Sequence, residues 1–267
     1  MAILGAITGD VEGSRFEWKN AKTKDFDFFS PLCRFTDDTV MTLAVMEICE
    51  RKSFGDSKAI AATLRKWGAR YPKAGYGGLF RKWLADPSMG PYGSFGNGAA
   101  MRISPIGWAA KTEADVIRMS EAVTAITHND PRGIEGAEVT AMCVYYARTG
   151  RSKGFIRQYI SEHYDIGFDY GKLVRNYRFS STCQGSVPQA LYAFLISENY
   201  EDFIRTAMAI GGDCDTTGAI GGGVAEAYYG GVGPKLEAFS KTLLANDKEA
   251  MRLIEGGWAE PRKEREE

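Results

Sequence analysis

The run Gly211-Gly212-Asp213-Cys214-Asp215-Thr216-Thr217-Gly218 gathers two carboxylates and two hydroxyls in a glycine-rich turn that holds no lysine or arginine. Far upstream, Arg34-Phe35-Thr36-Asp37-Asp38-Thr39-Val40-Met41 repeats the same chemistry. Crowded carboxylates repel one another and are costly to desolvate, so a cation is their natural partner. Oxygen-only donors point to magnesium, manganese or calcium rather than zinc. With only His128 and His163 for imidazoles and no CxxC spacing, a zinc site is poorly supplied.

Each run also has a plainer reading. Thr36 or an aspartate beside it could cap the helix that follows, although one cap needs only one such side chain, and adjacent carboxylates can diverge toward two ions. Asp213 and Asp215 stand two apart, so a looped or extended backbone can aim both to one side where a regular helix cannot. The alternative there is an Asp-rich turn with a cap.

Three further features carry polar chemistry. Asp10, Ser14 and Glu17 fall at i, i+4 and i+7 of a first helix and could reach a common site. Ser94-Phe95-Gly96-Asn97-Gly98-Ala99-Ala100-Met101-Arg102 is a glycine-rich stretch whose amides could cradle phosphate, with Ser94 and Asn97 as polar contacts. It matches neither the GKS/T nor the GxGxxG fingerprint, and an ordinary structural loop is an equal reading. His128, in Thr127-His128-Asn129-Asp130-Pro131, could organise a helix end; His163 lies in no comparable motif and reads as structural or surface.

The elements that must position these groups read as helices. Ile3 to Phe16 carries Gly5, Gly9 and Gly13 at four-residue spacing, which lines them along one side and lets a second backbone approach closely. Thr39–Cys49 and Asp56–Trp67 have helical apolar periodicity, as do 112–127, 134–148, 153–163, 186–197, 200–210, 218–228 and 234–244. Glycines 75 to 98, interrupted by Pro87 and Pro91, read as ordered loops. The expected fold class is all-α, a compact array of helices in one domain over 1–259, with a polar tail over 260–267.

The 267 residues balance 33 basic against 34 acidic side chains, giving no nucleic-acid or membrane-surface footprint. No apolar stretch reaches membrane-spanning length, and the start lacks a signal-peptide pattern. Five cysteines, an odd number, read as free thiols in a reducing compartment, so a cytoplasmic protein is expected.

Four ordered motifs resemble the ADP-ribosylglycohydrolase family: Gly9-Asp10-x-x-Gly13-x-x-x-Glu17, Phe35-Thr36-Asp37-Asp38-Thr39-x-Met41, Gly96-Asn97-Gly98-Ala99-x-Met101-Arg102 and Gly211-Gly212-Asp213-x-Asp215-Thr216. The resemblance implies an orthogonal multi-helix fold with two Mg2+ or Mn2+ ions in a central cleft. It implies Thr36, Asp37, Asp38, Asp213, Asp215 and Thr216 as metal ligands and Glu17 and Asp38 as catalytic carboxylates. Ser94, Gly96, Asn97, Gly98, Ala99, Met101 and His128 become the ADP-ribose contacts. The reaction implied is hydrolysis of the bond between the distal ribose and an acceptor on a modified protein, with arginine the leading acceptor. Serine-linked ADP-ribose, O-acetyl-ADP-ribose and binding without catalysis are the alternatives. Tyr92, Phe95, Tyr164, Tyr170 and Tyr177 are available for an adenine wall, and the segment from Glu17 to Thr36 is a place for specificity or lid motion. A monomer is expected.

Overall fold

The computed structural model describes residues 3–256. The expected tail over 260–267 lies outside them. In chain order the helices are α1 (Leu4–Gly13), α2 (Asp37–Arg51), α3 (Ser57–Arg70), α4 (Gly78–Ala85), α5 (Ser104–Ala109), α6 (Glu113–Thr124) and α7 (Pro131–Arg148). They continue as α8 (Lys153–Ser161), α9 (Tyr170–Asn176), α10 (Cys183–Ile196), α11 (Tyr200–Ile210), α12 (Cys214–Tyr229), α13 (Pro234–Leu244) and α14 (Lys248–Glu255). Among the described residues there is no strand, only an isolated bridge between Gly96 and Thr182. The fold is all-α, as the periodicity predicts. No described helix is long and apolar enough to cross a membrane.

Local chemistry sets most of the helix starts. Thr36, Asp56, Thr112, Asp130, Ser152, Asp169, Thr182, Asn199 and Asp247 each accept a hydrogen bond from a backbone N–H of the helix they precede. Pro131 at the first position of α7 needs no N–H partner, which is why that helix begins before residue 134.

α12 forms the centre, packed against α1, α7, α10 and α11 and buried on every face from Cys214 to Tyr228. Its closest neighbour is α1, which runs antiparallel to it with glycine facing backbone at each step. A Cβ on Gly5 would lie 2.2 Å from the Gly222 carbonyl oxygen, one on Gly9 1.9 Å from that of Gly218, and one on Gly13 2.4 Å from that of Cys214. Only glycine permits this approach. One polar tie locks the pair, Gly5 N–H donating to the buried Glu226 carboxylate at 2.8 Å, and a second joins α11 to α1, the Tyr200 hydroxyl donating to the Gly5 carbonyl at 2.6 Å.

Two expectations change. α1 stops at Gly13, so Glu17 does not ride on it: the Ser14 hydroxyl donates to the Val11 carbonyl and accepts from Arg34 N–H, and Asn20 holds the Phe16 carbonyl at 2.7 Å. These bonds take the chain out of the helix into a turn. The glycine-rich region is not loop throughout, because α4 forms inside it around buried Phe80 and Trp83, with the Arg65 guanidinium 3.9 Å over the Trp83 ring. Apolar burial there outweighs the flanking glycines.

Candidate active site

Two helix N-termini meet at the end of the antiparallel pair where α1 finishes and α12 begins. α2 brings Thr36, Asp37 and Asp38; α12 brings Asp213, Asp215 and Thr216. Asp10, from the last turns of α1, joins them: its carboxylate accepts from Thr36 N–H and Oγ1 at 2.8 and 2.7 Å and from Thr39 N–H and Oγ1 at 3.0 and 2.5 Å. One buried carboxylate thereby fixes the start of α2 against α1. Thr36 caps α2 through its bond from Asp38 N–H at 3.3 Å, so the capping reading holds for that block, and the Asp38 carboxylate lies among the other acids. Asp213 differs. It occupies the N-cap position of α12 without capping it, and its carboxylate instead accepts from Asn97 Nδ2 at 2.7 Å.

Carboxylate oxygens of Asp10, Asp38 and Asp215 lie within 4.8 Å of one another, and so do those of Glu17, Asp213 and Asp215. Asp215 belongs to both groups. No lysine or arginine forms an ion pair with any of these side chains among the described residues. Burial, then the charge of Asp215, pushes Asp37 up to about 8, and the same causes hold Asp38 well above the usual carboxylate range. Asp215 is likewise raised, by burial and then by Asp213; Asp213 is pushed to about 6, chiefly by burial. For Glu17, burial and Asp215 outweigh the pull of Arg34 and set it at about 7.

The sign of the pH dependence follows. Carboxyl groups with raised folded-state values bind more protons folded than unfolded, so stability falls as pH rises. The loss begins above the ordinary value of 3.8 to 4.5 and runs through about 7 for Glu17 and about 8 for Asp37. Asp38 and Asp215, raised well above the ordinary range, add to it as pH rises. Thermal melts in chelator between pH 4.5 and 8.5 are expected to show a falling melting temperature, with Mg2+ or Mn2+ restoring most of the loss at the alkaline end. A melting temperature that rises across this window contradicts the electrostatic account.

The cluster opens into a cavity of about 460 Å³, a size suited to a small-molecule ligand. Glu17, Asp37, Asp38, Asp213, Asp215 and Thr216 line it on one side. Ser94, Gly96, Asn97, Gly98, Met101 and His128 line it as well, and Arg102 joins them. Two of the expected site residues stand behind the surface: Ala99 is fully buried, and Thr36 has its hydroxyl turned to Asp10 and Asp38. Of the five candidate aromatics only Tyr92 lines the cavity. The Phe95 ring lies under the Arg132 guanidinium, Tyr164 is buried in the core, Tyr170 flanks Lys24, and Tyr177 packs its ring against Gly212.

The structure adds residues that sequence reasoning passed over. Trp18 and Phe179 line the same cavity, 78% and 46% exposed, with ring centroids 5.3 Å apart and planes 14° from parallel. Asn20 exchanges two hydrogen bonds with Gly212, Nδ2 to the carbonyl at 2.9 Å and Oδ1 from the N–H at 2.8 Å. Lys22 Nζ donates to the Ile210 carbonyl at 2.6 Å. These bonds stitch the Glu17 segment to the Asp213 turn. Asp10, which the sequence grouped with Ser14 and Glu17 as able to reach a common site, does join the acidic cluster; Trp18, Phe179 and Asn20 left no local signal. All five cysteines are free and buried, Cys214 among them, which suits packing rather than chemistry.

An all-helical chain with converging helix N-termini and a carboxylate-lined cavity has known relatives. The chain belongs to the ADP-ribosylglycohydrolase family, whose sequence model matches residues 1–233. It is 26% identical to human ADP-ribosylhydrolase ARH3 over 305 residues, covering 85% of this chain and 84% of that protein. It is 28% identical to the ADP-ribosyl-[dinitrogen reductase] glycohydrolase of Rhodospirillum rubrum over 252 residues, covering 86% and 84%. A solved structure described as an ADP-ribosylglycohydrolase-related protein complex matches with a TM-score of 0.67 at 24% identity, covering 91% of this chain and 95% of that one, a likeness of fold.

Proposed function

We propose that this family member is a divalent-metal-dependent hydrolase that removes ADP-ribose from a modified protein acceptor, with arginine as the acceptor. The observation that carries the metal is Asp38 Oδ1, a wholly buried carboxylate oxygen with no hydrogen-bond partner, set among raised carboxylates without a basic counterion. An orphaned charge of this kind is costly unless a cation meets it. Thr36, Asp37, Asp38, Asp213, Asp215 and Thr216 would hold two Mg2+ or Mn2+ ions, all through hard oxygens, with Asp10 orienting α2 behind them. When bound, the ions supply Lewis acidity that orients ribose hydroxyls and acidifies water.

The chain's own groups do the rest. Asn97 Nδ2 holds Asp213 in place, and the Ser186 hydroxyl lies 3.0 Å from the same nitrogen. Glu17 borders the cavity beside Asp213 and Asp215, a place from which its carboxylate can take up and release a proton. In hydrolysis the C1′–N bond to the acceptor breaks and a C1′–O bond to water forms. Glu17 accepts one proton from the water and passes it to the departing guanidine nitrogen, while the second water proton stays on the new C1′ hydroxyl. Asp38, wholly buried, serves as ligand better than as proton carrier.

Trp18 and Phe179 support arginine as the acceptor. Trp18 is joined covalently to Glu17, so the stacked pair flanks the reacting end of the cavity. A planar guanidinium stacks on such a face, and the carboxylates favour its charge. The deciding assay offers arginine-linked and serine-linked ADP-ribosyl peptides with Mg2+, Mn2+ or chelator; release of ADP-ribose from neither peptide in any condition refutes the hydrolase reading. Trp18→Ala is expected to lower kcat/KM on the arginine-linked peptide about fivefold, the worth of one cation–π contact, with little change on the serine-linked one. Equal losses on both would remove the aromatic pair from acceptor recognition. Monomeric action in a reducing cytoplasm is part of the same reading, consistent with the unpaired cysteines.

A further inference from the structure

The end of the cavity formed by the 94–98 segment holds a hydrogen-bond chain that the hydrolytic chemistry does not use. Arg102 is 1% exposed and lines the cavity, yet it meets no carboxylate within ion-pair distance among the described residues. Burial lowers it only to about 10, so it stays a cation at neutral pH. Its Nη2 donates to Thr127 Oγ1 at 2.9 Å and lies 3.5 Å from His128 Nδ1; Thr127 Oγ1 lies 2.7 Å from the same Nδ1.

Donor capacity decides where the imidazole proton sits. A guanidinium can only donate, so Thr127 Oγ1 spends a lone pair on Arg102 and keeps its own proton free for Nδ1. A proton on Nδ1 would face the Arg102 N–H, two donors head to head. Nδ1 is therefore the acceptor and the proton resides on Nε2. The other titratable neighbour is Tyr92, whose ring lies 6.0 Å from the imidazole and which burial raises to about 12, so it stays neutral. Asp130, two residues on, is engaged by Arg132. Burial and then the Arg102 charge hold His128 well below its ordinary value, consistent with an imidazole that stays neutral.

Nε2 faces bare backbone. A Cβ on Gly98 would approach it to 3.3 Å and one on Gly96 to 3.7 Å, so the two glycines leave that edge of the ring uncovered where all three residues line the cavity. We propose that Arg102, acting through Thr127, is a positioning residue that locks His128 as the neutral Nε2–H tautomer, giving the cavity a fixed, non-titrating donor for a phosphate oxygen of the ligand. The cavity then carries both kinds of group: hydrogen-bond donors on Arg102, His128 and the glycine segment, and carboxylates from α2 and α12. A ribosyl diphosphate offers a partner for each, phosphate oxygens for the donors and ribose hydroxyls for the carboxylates. The identity of the ligand rests on the hydrolase reading; the tautomer does not.

Long-range nitrogen–proton NMR of the ligand-free protein tests the lock directly. The chain has two histidines, and His163, 3.2 Å from Glu135 and partly exposed, serves as an internal control. The expected spectrum shows a protonated, pyrrole-type Nε2 and an unprotonated, pyridine-type Nδ1 on His128, unchanged from pH 5.5 to 8.5. A pyrrole-type Nδ1, or titration of His128 within that range, overturns the proposal. Thr127→Val removes the relay at nearly constant volume and is expected to mix the tautomers and weaken ADP-ribose binding about tenfold, the effect of losing one oriented bond to a charged group. Thr127→Ser is expected to restore both. If Thr127→Val leaves the tautomer and the affinity as they are in the wild type, the relay plays no part. If the wild type shows the locked tautomer but binds no ADP-ribose, the hydrolase reading fails while the lock stands.

Discussion

Asp215→Asn is expected to reduce turnover roughly 1,000-fold while making the metal-free protein more stable, not less. Asp215 is the one carboxylate shared by both close groups, and it raises Glu17, Asp37 and Asp38 through its charge. Asparagine keeps the shape and can still accept the bond from Thr216 N–H at 3.0 Å. It removes a negative ligand, and metal assistance worth several kcal/mol corresponds to about 1,000-fold at about 1.4 kcal/mol per tenfold. Relief of the repulsion should raise the melting temperature in chelator by about 2–4 °C per kcal/mol recovered in a domain of this size. The same variant should lose most of the stabilisation that Mg2+ or Mn2+ confers on the wild type. Turnover assays and melts with and without metal check all three effects. Near-normal turnover would remove Asp215 from the metal set, and a lowered melting temperature in chelator would refute the repulsion argument.

Gly9→Val is expected to leave no folded protein at all. The first side-chain atom would stand 1.9 Å from the Gly218 carbonyl oxygen, a backbone atom of a buried helix that has no room to retreat. Separating α1 from α12 would open the centre of the core and break the tie from Gly5 to Glu226. A cost above about 5 kcal/mol follows, comparable to the entire stability of many domains. Gly55→Ala is the matched control: nothing lies within 4 Å of a Cβ there, so that variant should melt within a degree or two of the wild type. Circular dichroism and thermal melts decide the matter. A folded Gly9→Val protein would mean that the close helix contact is dispensable.

The two expectations share one structural cause. The glycine contact between α1 and α12 brings Asp10 and Asp215 to within 4.8 Å of each other's oxygens, so the packing that sets stability also concentrates the charge that weakens it. On the proposed reading, a bound cation reconciles them. Stability and metal affinity are therefore coupled through a single helix pair, and variants in the cluster should trade one against the other.

Much of this was legible in the chain. Helix starts announce themselves through Ser, Thr, Asn or Asp side chains that bond to amides two or three residues on, a purely local interaction. The four-residue glycine spacing of Gly5, Gly9 and Gly13 forecasts a close helix partner, and the hard-oxygen runs forecast a gathering of carboxylates. The plainer possibility that Asp213 is a cap could not be dismissed from composition; only the bond from Asn97, more than a hundred residues away in sequence, shows its carboxylate turned to the cluster.

The sequence by itself determined which atoms are available: oxygen donors for a cation, glycine amides and one histidine for a ligand, and the helices that carry them. Tertiary structure decided how they face one another. It ended α1 at Gly13 through bonds from Ser14 and Asn20, moving Glu17 off the helix and into the wall of the cavity. It stacked Trp18 on Phe179, and it ran the bonds from Arg102 to His128. Local patterns report forces between near neighbours in the chain. These pairings depend on the distance between helices, which the summed packing of the core sets and no short segment encodes.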